Sequence, residues 1–225
     1  QLDIVAEVMA ASDAEHALVC PSYYSTDPVL ERVFGAMPAD YWEELGAGLP
    51  AETGIFWTGD KVCAQSHDAA GLGEIAARFA RKPVLWDNYP VNDGARGSNF
   101  LRVDAFRGRG SELAGLTQAH FVNPMNQCWL SRLALQSLVL LYQQGPAYDA
   151  DAAFAQCTLA QCGEALAAAL AADRDALQHE GLSALSGARL AQMRARYAAF
   201  RSPFAQEICD WLNGGYAFDP ACLTD

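Results

Sequence analysis

The stretch Pro83-Val-Leu-Trp-Asp-Asn-Tyr-Pro-Val-Asn-Asp93 decides the fold class of this 225-residue chain. Its apolar start is typical of a strand that is buried on both faces, and its polar and aromatic end is typical of the loop that follows such a strand. We predict a strand over residues 83–89, and a loop that carries Asp87, Asn88, Asn92 and Asp93.

Three further segments have the same apolar character, and they are residues 17–21, 54–59 and 119–124. Helical periodicity separates them, as in residues 72–81, where Ile75, Ala76 and Phe79 are spaced for one buried face. Short apolar strands that alternate with helices predict an α/β fold with a parallel sheet. Four such units correspond to the C-terminal half of a (β/α)8 TIM-like barrel.

Four strands cannot close a barrel, and they would leave apolar edges open. The chain also begins at Gln1 within an amphipathic helical pattern. We therefore expect the N-terminal half of the barrel to precede Gln1, and to be a partner of this chain.

The composition changes after Gly145-Pro146, where the chain becomes rich in alanine and loses all strand signals. We predict helices at about 149–179, 183–201 and 203–213. The predicted domains are a barrel half over residues 1–145 and an α-helical stalk or bundle over residues 146–225.

Charge and composition exclude several classes of partner. The net charge is −12, which argues against nucleic acid and anionic membranes as partners. No apolar stretch reaches the ~20 residues that a membrane-spanning helix needs. The histidines His16, His67, His120 and His179 are scattered without ligand spacing, so we predict neither a metal site nor another cofactor.

The loop after Trp86 has the chemistry of a sugar site. Carboxylates accept hydroxyl donors, and amides offer both a donor and an acceptor, while an indole provides a flat apolar wall. The alternative is that the Asp and Asn side chains cap the loop and that Trp86 belongs to the core.

Four motifs occur in order, each at the end of a predicted strand. They are Cys20-Pro-Ser-Tyr-Tyr24, Trp57-Thr-Gly-Asp-Lys-Val62, Trp86-Asp-Asn88 with Asp93, and Val122-Asn-Pro124. In this combination the chain resembles glycoside hydrolase family 84, a family of β-N-acetylglucosaminidases that includes the O-GlcNAcases. Val122 departs from the family pattern, which has Thr before Asn-Pro.

The resemblance implies a retaining, substrate-assisted reaction, in which the 2-acetamido group of the substrate forms an oxazoline. Two adjacent aspartates act as general acid and base in the family, on a strand that precedes the first of the four motifs. This chain has no Asp-Asp pair, so we expect the pair upstream of Gln1 and assign no catalytic residue here.

The resemblance also assigns the substrate contacts. It implies that Tyr24 bonds the acetamide oxygen and that Trp86 closes the acyl pocket. The other implied contacts are Thr58 and Val62 at the pocket floor, Asn88 at the acetamide side or the catalytic pair, and Asp93 and Asn123 at the outer hydroxyls.

Three hypotheses follow from the sequence. The first is the substrate-binding half of an enzyme that acts on O-GlcNAc or terminal β-GlcNAc, with a glycan or glycopeptide as ligand. The second is a catalytically silent GlcNAc-binding fragment or pseudoenzyme. The third is another barrel enzyme that uses Asp87 and Asp93 as its carboxylate pair.

Overall fold

The chain divides into two compact units, as seen in a computed structural model that describes residues Gln1–Cys222. The first unit comprises Gln1–Asn88 and Arg107–Val122, and the second comprises Tyr89–Phe106 and the chain from Asn123 on. Residues 223–225, at the end of the predicted stalk, lie outside the described residues.

A parallel sheet forms the centre of the first unit, as predicted. Within residues 1–222 its strands lie in the chain order β1-β2-β3-β4, and each pairs with the next in parallel. The strands are β1 (Leu18–Val19), β2 (Gly54–Trp57), β3 (Val84–Asp87) and β4 (Ala119–Val122). Neighbouring strands are consecutive in the chain because each crossover connection places the next strand beside the one before it.

Each strand ends before its predicted end. Pairing between β3 and β4 stops at Asp87 and Val122, so that Asn88 and Tyr89 leave the ladder. The apolar residues Ile55, Val84 and Leu85 are fully buried and hold the strands in the core. The polar and aromatic residues that follow them lie at and beyond the end of the strand, where a site can form.

Helices flank the strands in the first unit. They are α1 (Leu2–Ala10), α2 (Val29–Phe34), α3 (Tyr41–Gly48), α4 (Ala69–Phe79) and α5 (Leu113–Leu116). Helix α4 begins three residues before the predicted start because the Asp68 carboxylate accepts a hydrogen bond from the Gly71 amide and caps the helix. Its buried side chains are Leu72, Ile75 and Phe79, so the predicted face is confirmed at Ile75 and Phe79, while Ala76 is half-buried.

The second unit is mainly helical. It contains α6 (Cys128–Gln144), α7 (Ala150–Asp175), α8 (Gly187–Ala198) and α9 (Pro203–Leu212). Leu101, Val103 and Met125 share one hydrophobic core with side chains from all four helices. The predicted division between residues 145 and 146 stays a prediction at the level of domains.

Helix α7 is interrupted where the sequence predicts a continuous helix. Gly163 has a φ of 75°, which glycine adopts without the steric cost that a Cβ would bring. The interruption rotates one part of the helix relative to the other. Leu159, before the interruption, is exposed, whereas Leu166 and Leu170, after it, are buried.

No helix among residues 1–222 has both the length and the apolar character that would let it cross a lipid bilayer.

Substitution of two glycines in the first unit by alanine should change the stability of the chain in opposite directions. A Cβ at Gly46 of α3 would lie 2.4 Å from the Phe79 carbonyl oxygen at the end of α4, whereas a Cβ at Gly73 would meet no atom within 4 Å. We expect Gly46→Ala to destabilise the chain by about 1–3 kcal/mol, as overpacking does. Gly73→Ala, the matched control, should stabilise it by about 0.5–1 kcal/mol because alanine loses less entropy in a helix. Urea unfolding measures both, and equal effects would contradict close packing of α3 on α4.

Candidate active site

A pocket of about 300 Å³ opens at the carboxyl ends of β1, β2 and β3. This is the edge of a parallel sheet at which α/β proteins bind their ligands. The lining residues come in pairs from the three strand ends, and they are Cys20, Tyr24, Phe56, Thr58, Trp86 and Asn88. Four of the seven contact residues implied by the sequence thus line one pocket.

Aromatic rings fix the apolar wall of this pocket. The ring of Phe56 packs edge-to-face on Trp86, with centroids 5.2 Å apart, and on Phe121, with centroids 5.5 Å apart. These residues lie on one face of the sheet because Trp86 and Phe121 are direct neighbours across β3 and β4. Trp86 is half-buried, so its ring supports the wall and still offers a surface to a ligand.

The Asn88 side chain is held on both sides. Its Nδ2 donates to the Val62 carbonyl at 2.7 Å, and its Oδ1 accepts from the Trp86 indole Nε1 at 3.0 Å. These two bonds set the direction of the amide and the angle of the indole together. Val62 therefore contributes its backbone, in addition to any contact of its side chain with a ligand.

Tyr24 and Thr58 are joined through their backbones. The Thr58 amide donates to the Tyr24 carbonyl at 2.9 Å, and the Thr58 hydroxyl donates to the Lys61 carbonyl at 3.0 Å. Burial is the main cause that raises the pKa of the Tyr24 phenol, and nearby Cys20 adds to it. The phenol therefore keeps its proton at neutral pH and can donate a hydrogen bond to a ligand.

The remaining two predicted contact residues, Asp93 and Asn123, belong to the second unit. Asp93 is exposed, and Asn123 is half-buried. Between them the buried Asn92 organises the local backbone. Its side-chain Nδ2 donates to the Phe100 carbonyl at 2.9 Å and to the Gln127 Oε1 at 2.8 Å. Its Oδ1 accepts a hydrogen bond from the backbone amide of Asn126 at 3.1 Å.

A buried polar cluster lies on the other face of β3. Arg109 binds both carboxylate oxygens of Asp87, with Nε to Oδ2 at 2.8 Å and Nη2 to Oδ1 at 2.5 Å. The Nε2 atoms of His120 and His67 lie 3.2 Å and 3.7 Å from Asp87 Oδ2. The side chains of Asp87 and Arg109 are 1% and 4% exposed.

Sequence spacing does not reveal this cluster because its members are far apart in the chain. Spacing treats His67 and His120 as scattered, and Arg109 lies 22 residues from Asp87. One signal was available. Side chains alternate along a strand, so Asp87 had to face away from Trp86 and Asn88.

The cluster keeps Asp87 ionised. Burial by itself would raise the pKa of this carboxyl, but the hydrogen bonds from His120 and Arg109, together with the nearby His67 imidazole, outweigh it and hold the pKa far below its usual range. A carboxyl in that state has no proton to donate. The burial of Asp87 and the bonds of both its oxygens to Arg109 therefore argue against it as the proton donor of an Asp87–Asp93 pair.

No group of three or more His, Cys, Asp or Glu side chains in the described part of the chain could hold a metal ion. The cation beside Asp87 is the guanidinium of Arg109.

Comparison with known proteins identifies the class and then the family. The family described as beta-N-acetylglucosaminidase matches residues 2–173, which is more than half of the chain. The match places the chain among the families of glycoside hydrolases. Within that class the chain belongs to the β-N-acetylglucosaminidase family, and the resemblance carried by the four motifs is confirmed.

The relatives share this assignment. The "Protein O-GlcNAcase" of Mus musculus and that of Rattus norvegicus are each 26% identical over 131 residues, which is 58% of this chain and 14% of the relative. A mutant of the O-GlcNAc hydrolase of Thermobaculum terrenum has the same fold, with a TM-score of 0.75 and 24% identity over 96% of this chain and 52% of that one. The chain thus spans a minor part of the mammalian relatives and about half of the bacterial structure.

The state of Asp87 predicts how stability depends on pH. The carboxyl of an unfolded Asp has a pKa of about 3.9. Below that pH the Asp87 carboxyl binds a proton in the unfolded chain but stays ionised in the folded chain. The contribution of Asp87 to stability is therefore present above about pH 4 and is lost as the pH falls.

We expect the free energy of unfolding to decrease less steeply between about pH 4 and pH 2 in Asp87→Asn than in the unaltered chain, by up to ~1.4 kcal/mol per pH unit. Urea unfolding at each pH measures the two slopes. The variant Asp13→Asn, at an exposed position, is the control and should keep the steeper slope. Identical slopes for all three proteins would contradict the assignment.

Proposed function

We propose that this chain is the substrate-binding half of a retaining β-N-acetylglucosaminidase that hydrolyses O-GlcNAc or terminal β-GlcNAc. One observation carries the proposal. In a chain of this family, Tyr24, Thr58, Trp86 and Asn88 line one pocket at the carboxyl ends of neighbouring parallel strands.

The pocket suits the N-acetyl group of the sugar. The methyl group packs against the apolar wall of Trp86 and Phe56, where burial of a methyl is favourable. The Tyr24 phenol donates to the acetamide oxygen, which becomes more negative as it attacks. Thr58 and Val62 form the floor, and Asn88 presents an oriented amide to the acetamide or to the catalytic pair.

Asp93 and Asn123 bind the outer hydroxyls of the sugar. Each charge-assisted bond from a hydroxyl to the Asp93 carboxylate contributes roughly 1.5–3 kcal/mol. The exposed position of Asp93, next to the buried and fully bonded Asn92, supports this role because it offers the carboxylate to a ligand on a fixed backbone.

The reaction uses the substrate's own acetamide as nucleophile. Its carbonyl oxygen bonds to the anomeric carbon while the glycosidic bond breaks. The leaving oxygen takes a proton from one carboxyl group, and the acetamide nitrogen gives its proton to the other, which leaves a neutral oxazoline. Water then opens the oxazoline and loses a proton to the first carboxylate, while the nitrogen regains its proton from the second carboxyl group. The substrate-assisted hydrolases are exceptions to the two-carboxylate scheme, and here the acid and base are an aspartate pair upstream of Gln1.

The proposed architecture follows from the placement of the substrate contacts in this chain and of the acid and base upstream of it. Residues 1–145 form the C-terminal half of a (β/α)8 barrel, residues 146–225 form a helical stalk, and the N-terminal half packs on the open edges of the sheet. The side chains of Leu18 on the edge strand β1 and Ile4 on α1 are 44% and 65% exposed, and Phe121 on the opposite edge is 40% exposed. Apolar edges of this kind support a partner that covers them.

The first test of the function is complementation. Residues 1–225 alone should not turn over an aryl β-N-acetylglucosaminide, because the loss of a general acid alone costs about 10²–10⁴-fold in rate. Co-expression with the segment encoded upstream of Gln1 should restore hydrolysis, with retention of configuration by proton NMR.

Two outcomes of this test contradict the proposal. Full activity of residues 1–225 alone would refute the upstream acid and base. A reconstituted protein that binds N-acetylglucosamine without turnover would favour a catalytically silent sugar-binding protein. An O-GlcNAc peptide and a free β-GlcNAc disaccharide, assayed side by side, separate the two substrate classes.

The second test concerns Asp93. Asn keeps the size of the side chain and removes its charge, so Asp93→Asn should lower kcat/KM of the reconstituted enzyme by about 10–10³-fold. The melting temperature should not change because Asp93 is exposed. The variant should also discriminate less against substrates altered at the outer hydroxyls. Asp13→Asn is the control, and unchanged kinetics in Asp93→Asn would exclude a hydroxyl contact.

A further inference from the structure

The buried pair of Asp87 and Arg109 reaches the substrate pocket through the backbone. Arg109 donates to the carbonyls of Ala64 at 3.0 Å and Gln65 at 2.7 Å in the loop that follows β2, as well as to Asp87. The same guanidinium donates to the Arg107 carbonyl at 2.8 Å. One side chain therefore fastens the end of β3 to two loops.

The loop after β2 carries the groups that orient the pocket. Val62 lies two residues before Ala64, and its carbonyl is the acceptor for the Asn88 amide. The Val62 amide in turn donates to Asp27 Oδ2 at 3.3 Å, so the residue is held on both sides. A shift of the loop would move this carbonyl relative to Asn88, and the Trp86 indole would follow.

The contacts form a closed circuit. From Asp87 it passes through Arg109 to the carbonyls at 64–65, along the backbone to Val62, and across to Asn88, which is the chain neighbour of Asp87. A closed circuit restrains every member, because no single bond can lengthen without strain on the others. The neighbouring His67 amide donates to the Gly108 carbonyl at 2.9 Å and draws the same two loops together.

The surroundings of Gly108 confirm how close these loops lie. Its φ is +68°, and a Cβ there would lie 2.4 Å from the Gln65 carbonyl oxygen. The sequence Arg107-Gly-Arg109 thus brings a guanidinium to Asp87 through a turn that only glycine fits without strain.

We propose that Asp87 is a positioning residue for the acetamide pocket. Its carboxylate acts through Arg109 to hold the loop at residues 58–65 where the Val62 carbonyl fixes Asn88, and thereby sets the pose of Asn88 and Trp86. The identity of the ligand as an N-acetyl sugar rests on the proposed function. The positioning itself is a property of the unliganded chain.

The primary test reads the pose of Trp86 without any substrate. The indole N–H groups give separate signals in a proton–nitrogen NMR spectrum of residues 1–225, and Trp86→Phe identifies the signal of Trp86. In Asp87→Asn the Trp86 signal should shift, because the bond to Asn88 changes. The indole of Trp211, which donates to the Ser98 carbonyl at 3.0 Å in the second unit, is the internal reference and should not move.

A second variant keeps the proposal testable if Asp87→Asn does not fold. Arg109→Lys retains the positive charge beside Asp87 but lacks the planar fork that bonds Asp87 and the carbonyls at once. It should shift the Trp86 signal in the same direction. The matched control is Asp173→Asn, which breaks the buried pair of Asp173 with Arg196 in the second unit and should leave the Trp86 signal in place.

The kinetic readout uses the reconstituted enzyme. Misplacement of groups that orient the reacting acetamide should lower kcat by about 10–10²-fold with a smaller change in KM. Asp173→Asn should leave both constants unchanged at a temperature where all variants are folded.

The outcomes separate the two proposals. Folded Asp87→Asn and Arg109→Lys variants that both leave the Trp86 signal unmoved would overturn the positioning role. A Trp86 signal that shifts in residues 1–225, together with an unaltered reconstituted protein that does not hydrolyse β-GlcNAc, would support the positioning role and refute the proposed function.

Discussion

The alternation of side chains at the end of β3 is the constraint on which the site depends. Consecutive residues of a strand face opposite sides of the sheet, so Trp86 and Asn88 point into the pocket while Asp87 points into the layer behind it. A shift of one residue in register would exchange these faces, burying the amide and placing the ion pair in the pocket. The fully buried Val84 and Leu85, which precede these residues, fix the register.

The ion pair behind the strand is held by more than charge. Removing two charges from water is costly, and the attraction between them compensates only when their remaining hydrogen-bonding groups are also satisfied. Arg109 meets this condition, since it bonds both oxygens of Asp87 and three backbone carbonyls. Those carbonyls belong to loops without regular ladder partners, so the same contacts that satisfy the guanidinium also give the loops a defined position.

In the second unit, too, a buried polar side chain, here a neutral one, holds loop backbone in place through hydrogen bonds. Asn92 uses both its donor and its acceptor on the backbone and side chains around Asp93 and Asn123, and it does so while fully buried. At the start of α6, the Glu207 carboxylate of α9 accepts hydrogen bonds from the amides of Trp129 and Leu130, both at 2.9 Å. In both units a buried polar group therefore orders a segment that carries predicted sugar contacts. Trp86, Asn88, Asp93 and Asn123 in these segments remain at least partly exposed.

The sequence by itself determined the α/β class, the parallel sheet, the family and four of the residues that line the pocket, because each depends on local patterns. Apolar runs mark the strands, helical spacing marks α4, and the four motifs stand where strands end. Only the tertiary structure decided the burial and the hydrogen-bond partners of Asp87 and Asn92, which by composition belong with Asn88 and Asp93 in one polar loop. The tertiary structure also decided the interruption of α7 at Gly163, since the presence of a glycine in a helical pattern does not predict a positive φ at that residue. Burial and partners distinguish these residues, and the partners Arg109, His67 and His120 are brought to Asp87 only by the packing of loops distant in the chain.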